Sequence, residues 1–533
     1  MTTIDFRERR RLLLLSAASA ATLWLPRSSW SQPRLSSDPF SLGVASGSPT
    51  HESVVLWTRL VPKGLPDSSL GGVVTVRWEV AHDDKFVRIA RSGQSQAHID
   101  LAHSVHVEVP GLEADRWYFF RFMVGDAVSV VGRTRTFPKP DASVGRLRLG
   151  YASCQRWEHG YFSAYRHMRE ENLDAVMFLG DYIYEYPNSE NAVRVPSGGW
   201  VLTLNDYRQR YALHKSEVDL QAMHAACPWL MIWDDHEVQN DYAGRLHGDS
   251  GPPVENFVAR RAAAYQAYYE HMPLRSSVLT KATAGLLNLA LGTEMRIYSR
   301  VQFGRLASLY LLDARQYKDR QACASTSKMG PISFMMEVNP ATCPGWKDPK
   351  RTMLGAVQER WLHTEFAKAG KGWNVLGQQT LFSPRDFLSG TGQSLWNDGW
   401  DGYSSARKRL TDSLQSNGVA NPVLLGGDVH ENWVGHIKAD YQNVSSRAVG
   451  VEFCGTSITS RSRGNAKTAE LLAENPHFIF ADAERKGYGV AEFTPKQLSV
   501  ALRVVDDVTR KDTKIETLAH FTVKAGKSRI EKT

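Results

Sequence analysis

Beyond its N-terminal segment the chain has no apolar run near the roughly 20 residues needed to cross a bilayer, which excludes a multi-span membrane protein. It has no long basic tract either. The formal charge of +8 is the small difference between 64 Lys+Arg and 56 Asp+Glu, and part of it sits in Arg7, Arg9, Arg10 and Arg11 and in the last ten residues. A dedicated nucleic-acid partner is therefore not expected, although a mild excess is compatible with attracting anionic substrates. Internal repeats and low-complexity tracts are missing, so a repeat array does not fit. Cysteine is scarce, and five cysteines cannot all pair with one another, so at least one is free or a ligand.

What is present is the composition of a soluble globular protein, 42% hydrophobic and 23% charged over 533 residues, long enough for two domains. Arg9-Arg10-Arg11 precedes an apolar run from Leu12 to Leu25, and small residues follow at Ser28, Ser29 and Ser31. That layout reads as a secretory signal over residues 1–31, cleaved near Ser31 and leaving no stable membrane span. The alternative is a membrane anchor or buried helix. Paired arginines before leucines point to the twin-arginine export machinery, and so to a periplasmic or secreted protein. In an oxidising compartment Cys323 and Cys343, which flank a loop rich in Ser, Pro and Gly, are the candidate disulfide. Cys227 and Cys454 read as small buried hydrophobes.

From Phe40 to Pro138 short strand-like runs follow one another: Ser53–Thr58, Val73–Val80, Val105–Val109, Trp117–Val124 and Val128–Phe137. Such spacing predicts a β-sandwich over 38–138. Leu112, six residues before Tyr118, resembles the tyrosine corner of fibronectin type III sandwiches. After Pro138 strands alternate with helical stretches, which predicts an α/β domain over 145–533. Expected strands are Leu147–Tyr151, Ala175–Leu179, Trp373–Gly377 and Val423–Leu425. Expected helices are Phe162–Glu171, Asp206–Leu213, Val254–His271 and Gln358–Lys368. Tyr488–Phe493 and Leu498–Val505 look like a closing antiparallel pair.

Four loops carry the chemistry, and each follows an apolar strand. Leu149-Gly150-Tyr151-Ala152-Ser153-Cys154 ends on a thiol, a good metal ligand once deprotonated. Phe178-Leu179-Gly180-Asp181 places a carboxylate where it can bridge two metal ions, and Tyr184 three residues on can supply a hard phenolate suited to Fe³⁺. Trp233-Asp234-Asp235-His236-Glu237 packs four ionisable residues together, which is costly unless they are solvated, paired or ligating. Gly426-Gly427-Asp428-Val429-His430 sets two donors two residues apart, on one face of an extended segment. One such loop could be an ordinary turn. Four in this order point to one metal site.

The series Cys154, Gly180-Asp181-x-x-Tyr184, Trp233-Asp234-Asp235-His236-Glu237 and Gly427-Asp428-Val429-His430 resembles the PhoD family of calcineurin-like metallophosphoesterases. Gly180-Asp181-x-x-Tyr184 is also shared with purple acid phosphatases. The resemblance runs from the arginine-rich signal through Phe40–Gly47 to Lys486-Gly487-Tyr488. It implies a fold of class α/β (α+β): a metallophosphoesterase-type β-sandwich core flanked by helices, preceded by a small fibronectin III-like all-β domain. It further implies a ferric ion on Cys154, Asp181, Tyr184 and His430. Asp181 would be shared with Ca²⁺, which would also take Asp235 and Asp428, with Asn240 a further candidate. Hard oxygen donors suit Ca²⁺. Asp235 is preferred to Asp234 because it adjoins the histidine. His236 is the candidate to hydrogen-bond the phosphoryl group or protonate the leaving alcohol, and the alternative makes it a ligand or an orienting group. The expected activity is hydrolysis of phosphate mono- and diesters. The alternatives are a phospholipase D-like phosphodiesterase acting on lipid or wall polymer and a non-catalytic envelope-binding protein.

Overall fold

A computed structural model of the chain describes residues 37–61, 70–195, 198–248, 251–252, 254–279, 294–323 and 337–533, and the expected signal segment lies outside them. The apolar runs Leu147–Ala152, Ala175–Phe178 and Trp229–Met231 pair in parallel and are almost wholly buried. A sheet covered on both faces gives that pattern, whereas an exposed face would require alternation. Lys486–Phe493, Gln497–Val505, Ile515–Lys524 and Ile530–Lys532 extend this sheet antiparallel on one side.

On the other side the sheet continues into the N-terminal part of the chain. Gly47 of Val44–Gly47 pairs in parallel with Trp229, and Val54–Arg59 and Ser104–Val109 follow, which makes ten strands in all. Strands from both sides of Pro138 therefore share one hydrogen-bonded sheet. A second, seven-stranded sheet has the parallel strands Ala307–Leu311, Trp373–Gly377, Pro422–Gly426 and Ala448–Cys454 at its centre. Both sheets contribute to one core that contains Leu149, Phe178, Leu309, Val375 and Phe453. They approach closely at Gly377, where an added Cβ would stand 2.3 Å from Met177 Sδ.

The N-terminal strands also face a five-stranded sheet, with Val54, Leu56, Val76, Phe120 and Phe122 in the core between them. Tyr118 Oη accepts the Glu113 N–H at 2.9 Å. Val128–Phe137, expected as one strand, is two: Ala127–Val128 and Gly132–Arg135. The break falls at Ser129, whose hydroxyl accepts the Phe122 N–H and donates to the Val130 carbonyl in place of a ladder bond. The strand Ile89–His98 was not foreseen, because its IARSGQSQAH sequence is a polar, half-exposed edge without alternation.

The helices lie close to expectation, at Ala164–Arg169, Leu204–Lys215, Phe257–His271 and Gly355–Ala367. Leu204–Lys215 begins in a capping box, with Thr203 Oγ1 accepting from Asp206 N and the Asp206 carboxylate accepting from Thr203 N. Cys323 and Cys343 form a disulfide.

Candidate metal centre

Cys154, Asp181, Asp428 and His430 all leave their strands in the left-handed region, at φ of 61°, 57°, 66° and 59°. For a non-glycine residue this backbone costs on the order of 1–3 kcal/mol and lasts only where the surroundings hold it. The holding bonds are visible. Cys154 N donates to Gly180 O and Gln155 N to Asp181 O, both at 3.1 Å, which zips the first loop to the second. The Glu237 carboxylate accepts from Asp181 N at 3.1 Å, Tyr182 N at 2.6 Å and Asp234 N at 2.8 Å, which ties the second loop to the third. Lys486 Nζ donates to the His430 carbonyl at 2.9 Å. Gly180, at φ 113°, has no room for a side chain, since a Cβ would meet Asp234 Cβ at 2.4 Å.

This scaffold brings together donors far apart in sequence. One donor atom from each of Cys154, Asp181 and His430 lies within 4.8 Å of the others, and the same holds for Asp181, Asp235 and His236 and for Asp181, Asp234 and Asp428. Asp181 belongs to all three groups. Tyr184 Oη donates to Asp181 Oδ2 at 2.9 Å and stands 3.2 Å from His430 Nε2. His430 Nδ1 must donate to the Arg461 carbonyl, 2.7 Å away, so Nε2 is the nitrogen turned to the cluster. His236 Nδ1 is paired with Glu185 Oε2 at 2.7 Å. Asn240 joins the rim through its backbone N–H, which donates to Glu185 Oε1 at 2.6 Å.

The charges are poorly compensated. Asp181 Oδ1, Asp234 Oδ2, Asp235 Oδ1 and Asp428 Oδ2 are buried without a hydrogen-bond partner among the described residues. Burial, then the neighbouring carboxylates Asp235 and Asp234, raises the Asp181 pKa well above the carboxylate range. Burial and Asp234 do the same to Asp428, and burial with Asp181 and Asp428 raises the Cys154 thiol. A cation binding here would displace those protons. At His236 burial disfavours the imidazolium, but Glu185 and Asp235 outweigh it and raise the pKa.

Arg315, fully buried, was not foreseen as part of the site. It pairs closely with Asp234 and Asp398 and reaches Asp235 and Asp428 at 3.5 Å each. Lys318 and Gln321 also bind Asp398, and Asp235, Asp241 and Asp398 form a further acidic group. A signal for Arg315 existed. The strand Ala307–Leu311 runs into Leu312-Asp313-Ala314-Arg315, the same sequence of apolar strand and polar turn as the other loops.

Comparison with known proteins shows the family to which the chain belongs. The PhoD-like phosphatase family model matches residues 149–502, and that of the PhoD-like phosphatase N-terminal domain matches residues 26–138. The chain is 43% identical over 509 residues to alkaline phosphatase D of Bacillus subtilis (strain 168), covering 94% of this chain and 83% of that one. A solved structure of PhoD superposes with a TM-score of 0.85 at 42% identity, covering 94% of this chain and 93% of the other.

Proposed function

Since the chain belongs to the PhoD-like phosphatase family and is a phosphate ester hydrolase, we propose that it cleaves phosphate mono- and diesters at the rim where the four loops meet. A ferric ion would be held by Cys154, Asp181, Tyr184 and His430. A calcium ion would be held by Asp181, Asp235 and Asp428, with Asn240 as a further oxygen donor. The fit rests on the donor chemistry and on the orphaned oxygens Asp181 Oδ1 and Asp235 Oδ1, which are costly to bury unless a cation meets them, while Asp428 Oδ2 lies 3.5 Å from Arg315 without a hydrogen bond. Asp235 is preferred to Asp234 because Asp234 is the one closely paired with Arg315. Bound there, the two cations would supply charge neutralisation at the phosphoryl oxygens and a water acidic enough to attack phosphorus.

The remaining steps fall to the chain itself. Glu185 fixes the His236 ring through Nδ1, so Nε2 is the nitrogen left for the substrate. With Nδ1 held by Glu185, a proton on Nε2 would be placed for the departing alkoxide. Glu237 orients the second and third loops through three backbone N–H groups and stays off the substrate.

Around this site we read 38–138 as a fibronectin III-like domain, supported by the Tyr118–Glu113 bond, and 145–533 as a metallophosphoesterase-type catalytic domain. The arginine-led N-terminus supports twin-arginine export to a periplasmic or secreted destination. No helix among the described residues is long and apolar enough to cross a membrane.

The observation that carries the proposal is the membership of Asp181 in three donor groups at once. Metal content of the purified protein and turnover of bis- and mono-p-nitrophenyl phosphate, with and without Asp181→Asn, test it. The variant is expected to lose metal and nearly all turnover, and activity unaffected by the change would remove the proposal. The ratio of kcat/KM for the two esters then places the enzyme between diesterase and monoesterase.

A further inference from the structure

Tyr186 lies beside this site and is absent from the donor set above. It is 2% exposed, and its ring is packed on several sides. Arg156 Cζ stands 4.2 Å from the ring centroid, and the same guanidinium lies 3.9 Å over the Tyr184 ring. The Trp200 ring is 5.2 Å away and the His236 ring 5.6 Å. Arg156 Nη1 also donates to the Tyr186 carbonyl at 3.2 Å, so backbone and ring are fixed together.

The hydroxyl is treated differently from its neighbours. Tyr184 Oη has Asp181 and Ser460, and Tyr182 Oη has His224. Tyr186 Oη makes no hydrogen bond among the described residues, although the carboxylates of Asp235 and Asp181 act on it electrostatically. The ring is buried, but the hydroxyl is not one of the phenol oxygens closed off without a partner, as those of Tyr151, Tyr211 and Tyr268 are, so it stays open to an incoming ligand. Here the donor is rigid and unspent, and its ring sits against that of the candidate proton-donating histidine.

We propose that Tyr186 is a further substrate-contacting residue of this reaction, its hydroxyl donating a hydrogen bond to an oxygen of the phosphoryl group next to His236. The inference rests on the metal-site reading above. Such a donor, fixed before substrate arrives, needs no reorganisation as charge builds on the phosphoryl oxygens.

Tyr186→Phe removes the oxygen and keeps the ring between Arg156, Trp200 and His236. In the metal-loaded enzyme, kcat/KM for bis-p-nitrophenyl phosphate is expected to fall about 10- to 100-fold, the range of a hydrogen bond to a charged group. The inhibition constant of inorganic phosphate should rise in parallel, while metal content and Tm stay at wild-type values. Unchanged kcat/KM and phosphate inhibition would overturn the proposal. So would a loss of turnover that follows a loss of metal, because Tyr186 would then act by holding the site together. Asp181→Asn, assayed alongside, separates the two readings: an active Asp181→Asn enzyme sinks the metal site, whereas an inactive one beside an unimpaired Tyr186→Phe sinks only the tyrosine.

Discussion

Two clusters of titratable groups adjoin the segment Asp181–Tyr184, one of carboxylates and one of an amine and imidazoles, and the chain handles them in opposite ways. On the rim side Asp181, Asp234, Asp235 and Asp428 crowd together around Arg315, with His236 beside Asp181 and Asp235, and several of their oxygens lack a hydrogen-bond partner among the described residues. Behind Tyr182, the Lys215 amine lies 4.1 Å from the Trp57 ring and 5.5 Å from the Tyr182 ring, with His106, His224 and His271 within electrostatic reach. No carboxylate is paired with Lys215 among the described residues. Burial instead pushes its pKa down to about 7, and burial lowers His106 to about 4. The rear cluster lowers its cost by shedding protons. The rim cluster carries a charge excess that only a cation or bound protons can relieve, which marks it as the functional one.

The most direct way to break the comparison is Asp428→Asn. It replaces a buried carboxylate, 3.5 Å from Arg315, with a neutral amide of nearly the same shape. As a proposed ligand, its loss should cost two to three orders of magnitude or more in kcat/KM, roughly 3–4 kcal/mol of transition-state stabilisation. The metal-free protein should nevertheless melt at a higher temperature than wild type in chelator, because burial and Asp234 both oppose the native carboxylate. Activity and stability moving in opposite directions is the signature expected of the rim. A variant that loses both would show Asp428 to be a structural residue.

A second variant acts on the compensation within the rim. Arg315→Met leaves Asp234 without its close partner and Asp398 with only Lys318 and Gln321. Breaking a buried ion pair on one side costs about 3–5 kcal/mol. The urea midpoint of the chelated protein should fall accordingly, and an unchanged midpoint would mean that the guanidinium contributes nothing to the cluster.

The rim was readable in the sequence because each of its loops repeats one local pattern, an apolar strand followed by a metal-suited donor. Cys154, Asp181, Asp235, His236, Asp428 and His430 were reached in that way. Arg315 ends the same pattern, but an arginine cannot ligate a metal, so a search for donors passes over it. Asp398 and Asp241 have no local signal at all. Helices and buried strands were legible from periodicity, whereas the pairing of Gly47 with Trp229 links segments more than a hundred residues apart and has no trace in either one. The rear cluster was unreadable for a related reason. Lys215 ends a helix as many lysines do, and only packing against Trp57 shows that it is buried.

That burial gives the smallest effect and the cleanest sign. Burial pushes the Lys215 amine down to about 7 from the ordinary 10.5, so between these limits the unfolded chain holds a proton that the fold does not. Stability contributed by this group therefore rises with pH across the window, by about 1.4 kcal/mol per unit, and is flat below it. The histidines act in a separate window, since their lowered pKa values remove stability only as pH falls through about 6.5 and below. Above about pH 9 the buried Cys154 and Tyr182, whose pKa values are raised, pull the other way, because the unfolded chain releases their protons first. Between pH 7 and 9 Lys486, which burial lowers to about 8, and Glu237, which burial raises to about 8, also titrate, but both are common to wild type and variant, so the difference between the two proteins isolates Lys215. Lys215→Met keeps the apolar stem over Trp57 and deletes the amine. With metal held saturating, denaturation free energies at pH 7, 8 and 9 should climb more steeply in wild type than in the variant. Equal slopes would mean that the amine is solvated or paired, and the contrast between the two clusters would fail at that point.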